Sequence, residues 1–571
     1  MTCTPETISP SPPRSAVKHD SEKLGLCQLL CGALLFLATS ALASPAQTFT
    51  SLASFNGTDG ALPYYVYLVQ GTDGNFYGTA SSAGANNGGT VFKVTTAGKL
   101  TPLYNFCSQA SCADGNEPTA GLVLASNGAF YGTTVYGGVN GQGSVYKITP
   151  AGKLSTLHSF NGTDGAYPYV GLIQAANGNL YGTTSGGGTD GYGTIFEITP
   201  GGKLSSLHSF SAADGEYPDG RLVQGTNGNF YGTTYMGGAN GEGTVFQITA
   251  GGKLTTLYSF GGGADGAGPA DALIQASNGK FYGTTSAGGA NSSGTVFEMT
   301  PGKVRTIYTF CSLSSCADGG TPLAGLIQAT DGNLYGTTSA GGANLYGTIF
   351  KIITADKLTT LYTLYSFCSQ TGCTDGASPY EGLLQATNGT LYGTTYNGGA
   401  DNDGTIYSLS VGLGPFVQTV TTSGKVGAAV IILGNNLTGT TSVSFGGTVA
   451  TFTVASDTEI KTTVPVGATT GTVAVTTPKG TLKSNVPFRV TPHITSFTPM
   501  NGPIGTPVTI NGVSLTQTNK VTFGGVKATT FSVNTDNQVT ANVPTGAKTG
   551  HITITTPGGT AVSSGIFTVT Q

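Results

Sequence analysis

Beyond residue 46, hydrophobic positions come in short β-prone runs separated by Gly, Pro and Asn-Gly, and no part of 47–411 sustains a helical period. Residues 168–218 show the arrangement. A short run at 172–175 meets Asn177-Gly178, a pair that tolerates positive φ, and the chain turns into 180–184. A Gly-rich stretch at 186–191 leads to 194–199, and Pro200-Gly201-Gly202 turns that run into 204–210. Four runs bounded by turn residues predict four strands.

The unit repeats. Tyr-Gly-Thr occurs at Tyr77, Tyr131, Tyr181, Tyr231, Tyr282, Tyr335 and Tyr392, at spacings of 54, 50, 50, 51, 53 and 57 residues. Four-stranded units of this length predict propeller blades. The phase of the array is informative. Residues 48–55 match a fourth strand such as 254–260, whereas the last unit stops after its third strand at 404–410. The two fragments sum to a seventh unit. The expected fold is therefore all-β: a seven-bladed β-propeller over 47–411, closed by an N-terminal strand that removes exposed edges. An open β-array with capped ends is the alternative. The Tyr of Tyr-Gly-Thr reads as interblade core, and its Gly as a point where another backbone comes close.

Asp-Gly-x-x-Pro links each fourth strand to the next first strand, at Asp59, Asp114, Asp164, Asp214, Asp265, Asp318 and Asp375. Asp-Gly favours a turn and Pro directs the chain into the following strand, so a structural role is expected. Six Cys of the repeat region form three local pairs, Cys107/Cys112, Cys311/Cys316 and Cys368/Cys373, each within Phe-Cys-Ser-x-x-x-Cys-x-Asp-Gly. Three equal spacings favour short disulfide loops in an oxidising compartment over metal binding, since zinc sites favour Cys-x2-Cys pairs and no His accompanies these.

After Gly414-Pro415 a second repeat of about 78 residues begins: Val443-Ser444-Phe445-Gly446-Gly447 recurs as Val521-Thr522-Phe523-Gly524-Gly525. Short alternating strands predict two small antiparallel sandwiches, 416–490 and 492–571. These segments resemble immunoglobulin-like IPT/TIG domains through Ile494-Thr495-Ser496-Phe497-Thr498-Pro499, Gly502-Pro503-Ile504-Gly505 and Val543-Pro544. The first copy lacks the opening Pro-x-x-Gly-Pro run. Residues 48–411 resemble the GloVer tandem-repeat family of bacterial surface proteins, through Asn-Gly-Asn-Leu-Tyr-Gly-Thr-Thr, Gly-Gly-Ala-Asn and Gly-Thr-Val-Phe-x-Ile-Thr. The resemblance implies export and β architecture and carries no catalytic residues to transfer.

At the N-terminus, Arg14, Lys18 and Lys23 precede an apolar run ending Ala41-Leu42-Ala43, which predicts a signal peptide over 1–43, with an uncleaved anchor as the alternative. No second apolar segment follows, so no transmembrane span is expected after it. The chain has 571 residues, 91 of them Gly, no Trp, 9% charged residues and a net charge of −4. Weak charge without a basic stripe argues against nucleic-acid binding.

Catalytic signatures are scarce. His158 and His208 occupy a fourth-strand position held by Tyr258 and Tyr308 elsewhere and read as packing variants. Asp401-Asn402-Asp403 hints at Ca²⁺ but lacks the other ligands of a calcium loop and reads as a polar turn. No cofactor or metal is expected. In a propeller, the fourth-to-first and second-to-third connections share a face, which would carry Tyr64, Tyr65, Tyr136, Tyr167, Tyr169, Tyr217, Tyr235, Tyr380 and Tyr396. Tyr suits peptide or glycan contacts. The expected function is that of a noncatalytic binding, adhesion or surface-architecture protein, secreted or at the bacterial cell surface, with a surface protein or glycan as partner. The alternative is an exported glycan-active enzyme using acidic loop residues, although seven equivalent Asp offer no acid/base asymmetry.

Overall fold

The computed structural model describes residues 47–300, 302–355 and 358–571. The leader read at 1–43 lies outside them. Among the described residues there is no α-helix; single 3-10 turns at Ala110–Cys112, Ser314–Cys316 and Thr371–Cys373 sit in the Cys loops.

Seven four-stranded antiparallel sheets occupy the repeat region. A representative one runs Ile173–Gln174, Leu180–Thr184, Thr194–Ile198 and Leu204–Ser209, each strand paired with the next. The opening strand, Thr48–Ser54, pairs instead with Thr405–Ser410, Thr48 opposite Ser410 and Ser54 opposite Thr405. It thus serves as the fourth strand of the sheet that begins at Leu384–Gln385.

Consecutive sheets pack through the Tyr-Gly-Thr strand. Tyr181 stacks on Phe230 of the next sheet at 4.1 Å, as Tyr77 does on Phe130 at 4.3 Å and Tyr231 on Phe281 at 4.2 Å. The seventh sheet meets the first in the same way, with Tyr392 4.1 Å from Phe76. The Gly of the motif has a different role from the expected one. A Cβ on Gly182 would lie 2.7 Å from the ring of Phe196, its cross-strand partner, and Gly78, Gly232, Gly283 and Gly336 face equivalent Phe rings. An aromatic ring, not another backbone, takes the space.

Polar links reinforce each junction. Gln174, at the end of a first strand, accepts a hydrogen bond at 2.8 Å from the Ser126 N–H in the preceding sheet's hairpin. Gln224, Gln275, Gln328 and Gln385 do the same, and Gln70 of the first sheet accepts from the Thr387 N–H of the seventh at 3.0 Å. The second sheet has Leu124 at this position. Its exception has a cause in the first C-terminal sandwich, whose Ile431 and Leu433 join the apolar cluster containing Leu122 and Leu124. There the Thr72 carbonyl of the first-sheet hairpin accepts from the Thr458 hydroxyl at 2.6 Å. Asn435 to Thr387 Oγ1 and Arg489 to the Gly225 carbonyl, both 2.6 Å, extend the contact along the same hairpin end.

Each sandwich has its own core, centred on Val430, Ile432, Phe445 and Val475 in the first and Val508, Ile510, Phe523 and Ile554 in the second. Two four-stranded sheets and a two-stranded ladder enclose the first core, and a four-stranded and a five-stranded sheet the second.

Two outcomes follow from this packing. Deleting residues 48–54 removes Phe49, stacked 3.7 Å from Tyr365, together with half-buried Leu52, each worth about 1.5–3 kcal/mol if fully buried; Tm by calorimetry should fall, and an unchanged Tm would show that the strand is dispensable. Tyr146 places a buried hydroxyl without a partner where most sheets have Phe, so Tyr146→Phe should raise stability by ~1 kcal/mol or more in denaturant titration.

Candidate functional site

Because the strands alternate in direction, the fourth-to-first and second-to-third connections emerge at one end of every sheet. Backbone bridges such as Ala166↔Gly186 tie the two kinds of connection together. The nine Tyr selected from the sequence all lie in them. Tyr64, Tyr65, Tyr380 and Tyr396 form one aromatic group: Tyr64 is 4.3 Å from Tyr65 and 5.4 Å from Tyr396, and Tyr380 stacks on Tyr396 at 4.9 Å. Tyr136, Tyr167 and Tyr169 form another, with Tyr136 5.5 Å from Tyr167 and its hydroxyl 3.5 Å from that of Tyr169. Tyr217 and Tyr235 are joined by a backbone hydrogen bond of 2.9 Å and have no ring contact to either group. Tyr136, Tyr167 and Tyr217 are exposed, and Tyr65, Tyr167 and Tyr217 hold positive φ, a conformation that tight loops impose on them.

The repeated Asp organise these loops. Asp114, Asp318 and Asp375 are fully buried inside the Cys loops, whose three disulfides form as paired in the sequence reading. Burial alone pushes the Asp114 carboxyl up, but hydrogen bonds from the Tyr104 and Ser108 hydroxyls and the Ser108 and Gln109 N–H groups outweigh it and hold it below the usual range. The fourth-strand His and Tyr share this work. His158 and His208 sit 2.8 and 2.9 Å from Asp164 and Asp214, where Tyr258 and Tyr308 donate to Asp265 and Asp318 at 3.0 and 2.8 Å. They pack edge-on against Phe160 and Phe210 as Tyr258 and Tyr308 do against Phe260 and Phe310, in keeping with their reading as packing variants, and in addition are hydrogen-bonding partners of the turn. The opening strand has Ala53 at this position, so Asp59 has no such partner; burial, with Asp403 and Asp401 nearby, raises its carboxyl.

The sequence reading missed a cluster where the first strands converge. Tyr67 reaches across to the fifth sheet and donates its hydroxyl to Asp271 Oδ2, which also accepts the Gly325 N–H at 2.8 Å. The Arg221 guanidinium lies 4.6 Å above the Tyr67 ring. Glycines make the room: any Cβ on Gly121, Gly325 or Gly382 would collide with Tyr67. Glu381 is 1% exposed, and among the described residues no side chain hydrogen-bonds to its carboxyl oxygens. Burial, with the charge of Asp271 added, raises it well above the carboxylate range. Burial also carries the Asp219 carboxyl up to about 6 despite the Ser185 hydroxyl that donates to it. On the hairpin side of Tyr67 and Arg221 lies a cavity of about 510 Å³, walled by the first strands and by Gln418, Val420–Ser423 and Leu433 of the first sandwich.

A signal for this cluster existed. Tyr67 and Arg221 occupy a place held by Gly121, Gly171, Gly325 and Gly382 in four other units and by Ala272 in a fifth. Repeat-breaking bulk at a glycine position marks a filled gap.

The architecture defines the class: an all-β tandem-repeat protein carrying immunoglobulin-like modules. The Gloeobacter/Verrucomicrobia repeat model matches residues 39–226, 118–328 and 201–407, and the IPT/TIG domain model matches 415–490 and 492–570. The chain belongs to the Gloeobacter/Verrucomicrobia repeat family and ends in two IPT/TIG domains. No curated protein matches it in sequence. Among solved structures, a fungal alcohol oxidase in complex with copper is similar at 12% identity and a TM-score of 0.44, over 92% of this chain and 99% of that one. A putative 6-phosphogluconolactonase from Bacteroides uniformis is similar at 16% identity and 0.38, over 54% and 85%. A surface glycan-binding protein from Prevotella bryantii is similar at 16% and 0.21, over 27% and 41%. No helix among the described residues is long and apolar enough to cross a membrane.

Asp219 yields a pH test. Its folded carboxyl titrates near 6, above the ordinary value of about 4, so the folded state holds the proton more tightly and stability declines as pH rises through that window. Asp219→Asn should therefore raise Tm at about pH 7.5, with the gain closing by about pH 4. Equal Tm differences at both pH values would contradict the shifted titration.

Proposed function

We propose that the chain is an exported, noncatalytic recognition protein of the cell surface, and that residues 47–411 form a closed seven-bladed propeller followed by sandwiches at 416–490 and 492–571. Closure is supported by three contacts between the seventh and first sheets: the pairing of Thr48–Ser54 with Thr405–Ser410, the Tyr392–Phe76 stack and the Gln70–Thr387 hydrogen bonds. Export is supported by three disulfides, which persist in oxidising compartments.

The observation that carries the recognition reading is the sidedness of the propeller. The first sandwich occupies the hairpin end, and among the described residues no domain covers the Tyr-bearing end. Tyr64, Tyr65, Tyr380 and Tyr396 on one side, with Tyr136, Tyr167 and Tyr169 on another, supply flat rings and hydroxyls at low entropic cost. Asp219 and Glu381 also supply the unequal carboxyls that the repeated Asp do not, which keeps the glycan-active alternative testable.

Arrays of surface glycans and envelope proteins probed with the full chain test both readings. Retention without product, weakened about tenfold or more by Tyr136→Ala or Tyr380→Ala, is the expected outcome for a hot-spot aromatic. Released sugar fragments that vanish in Asp219→Asn would establish the enzyme instead.

A further inference from the structure

Arg221 is the repeat-breaking residue whose polar group the fold does not use. It stands where four other units have Gly and a fifth has Ala. Its guanidinium lies 4.6 Å above the Tyr67 ring and, among the described residues, takes part in no hydrogen bond and no ion pair. The acids nearby act on it only through their field. Asp271 is occupied by the Tyr67 hydroxyl and by the Gly325 and Ala272 N–H groups, and burial raises Glu381 well above the carboxylate range. Neither of them lines the cavity on whose wall Arg221 stands. Unlike the carboxyl of Glu381, the guanidinium is not sealed from that space. Five N–H donors in a planar fork, with no acceptor among them, match the paired oxygens of a carboxylate.

The cavity has the size and lining of a small-molecule site. Its volume of about 510 Å³ falls within the ~300–1,000 Å³ usual for such sites. Two sets of polar side chains line it. Gln174, Gln224, Gln275, Gln328 and Gln385 are committed to the junctions between sheets. Gln418, Thr421, Thr422 and Asn485 of the first sandwich are not, since among the described residues their side chains make no hydrogen bond. Thr422 and Asn485 are exposed and form the rim, while Leu222, Leu273, Leu326 and Leu383 supply apolar wall.

We propose that this cavity binds a small acidic sugar, whose carboxylate lies on the Arg221 guanidinium and whose hydroxyls meet Gln418, Thr421, Thr422 and Asn485. A neutral sugar would leave the guanidinium without a partner, and an inorganic anion would use none of the sandwich's polar groups. The site lies at the hairpin end, apart from the loop tyrosines, and stands independently of the recognition proposed for them. Its walls come from the first strands and the first sandwich together, so occupation would also fasten one to the other and raise Tm.

Calorimetric titration of the full chain with cellobiouronic acid, with cellobiose and inorganic sulfate as controls, provides the test. The acid should bind about tenfold or more tighter than cellobiose, from which it differs by one carboxylate, and than sulfate. Arg221→Gln should lose that advantage, and Arg221→Lys should keep only part of it because the fork is gone. Arg305→Gln, which removes an equal charge from a pair with Glu298, should leave it intact. If Arg221→Gln fails to fold, the exposed rim decides: Asn485→Ala should weaken the acid by about threefold or more, and an unchanged affinity would overturn the proposal. Equal affinity for acid and cellobiose, or an acid affinity unaltered in Arg221→Gln, would overturn the carboxylate contact. Sulfate binding as tight as that of the acid would overturn the sugar, and no binding by any of the three would overturn the site.

Discussion

Everything in the repeat region depends on one contact between neighbouring sheets. A Tyr on each second strand lies against an aromatic or aliphatic residue of the next sheet, and a Gly beside it admits a cross-strand ring. Neither works alone. Without the Gly the ring would have no place, and without the ring the Gly would leave a void in close-packed surroundings. Repeating the pair in each sheet spreads the stabilisation evenly, so a sheet such as the first, with Asp73 bonding Tyr77, is held by the same device as the fourth, with Asn227 bonding Tyr231.

Where the repeat is broken, another contact explains it. Leu124 replaces a Gln at the sheet junction because the sandwich presses Ile431 and Leu433 there. Tyr67 and Arg221 replace small residues because the first strands leave a central gap that two large side chains fill. Ala53 replaces a Tyr or His, and Asp59 is left with a raised carboxyl among acidic neighbours. Departures from the repeat thus mark the place where the first strands converge, the contact with the first sandwich and the opening strand.

The two ends of the repeated sheets acquire different characters in consequence. The hairpin end is occupied by the first sandwich through hydrogen bonds to Thr72, Gly225 and Thr387. The other end keeps its loop tyrosines exposed or half-buried, on connections held by Asp turns and disulfide loops, while Asp114, Asp318 and Asp375 are buried within those loops.

The strand count, the phase of the opening segment and the Cys pairing were legible in the amino-acid order, because each rests on contacts within a few residues or on a period that repeats them. The central cluster was not: Tyr67 and Asp271 are 204 positions apart, and nothing local links them. The same holds for His158 and His208, whose service to Asp164 and Asp214 shows only once the fourth strand folds back over its own turn. The cavity beside Arg221 was hidden in the same way, since its walls come from first strands and a sandwich far apart in the chain. Only the alternation of strands, which sends every second connection to one end, gathered the tyrosines there and left the hairpins and the first sandwich at the other.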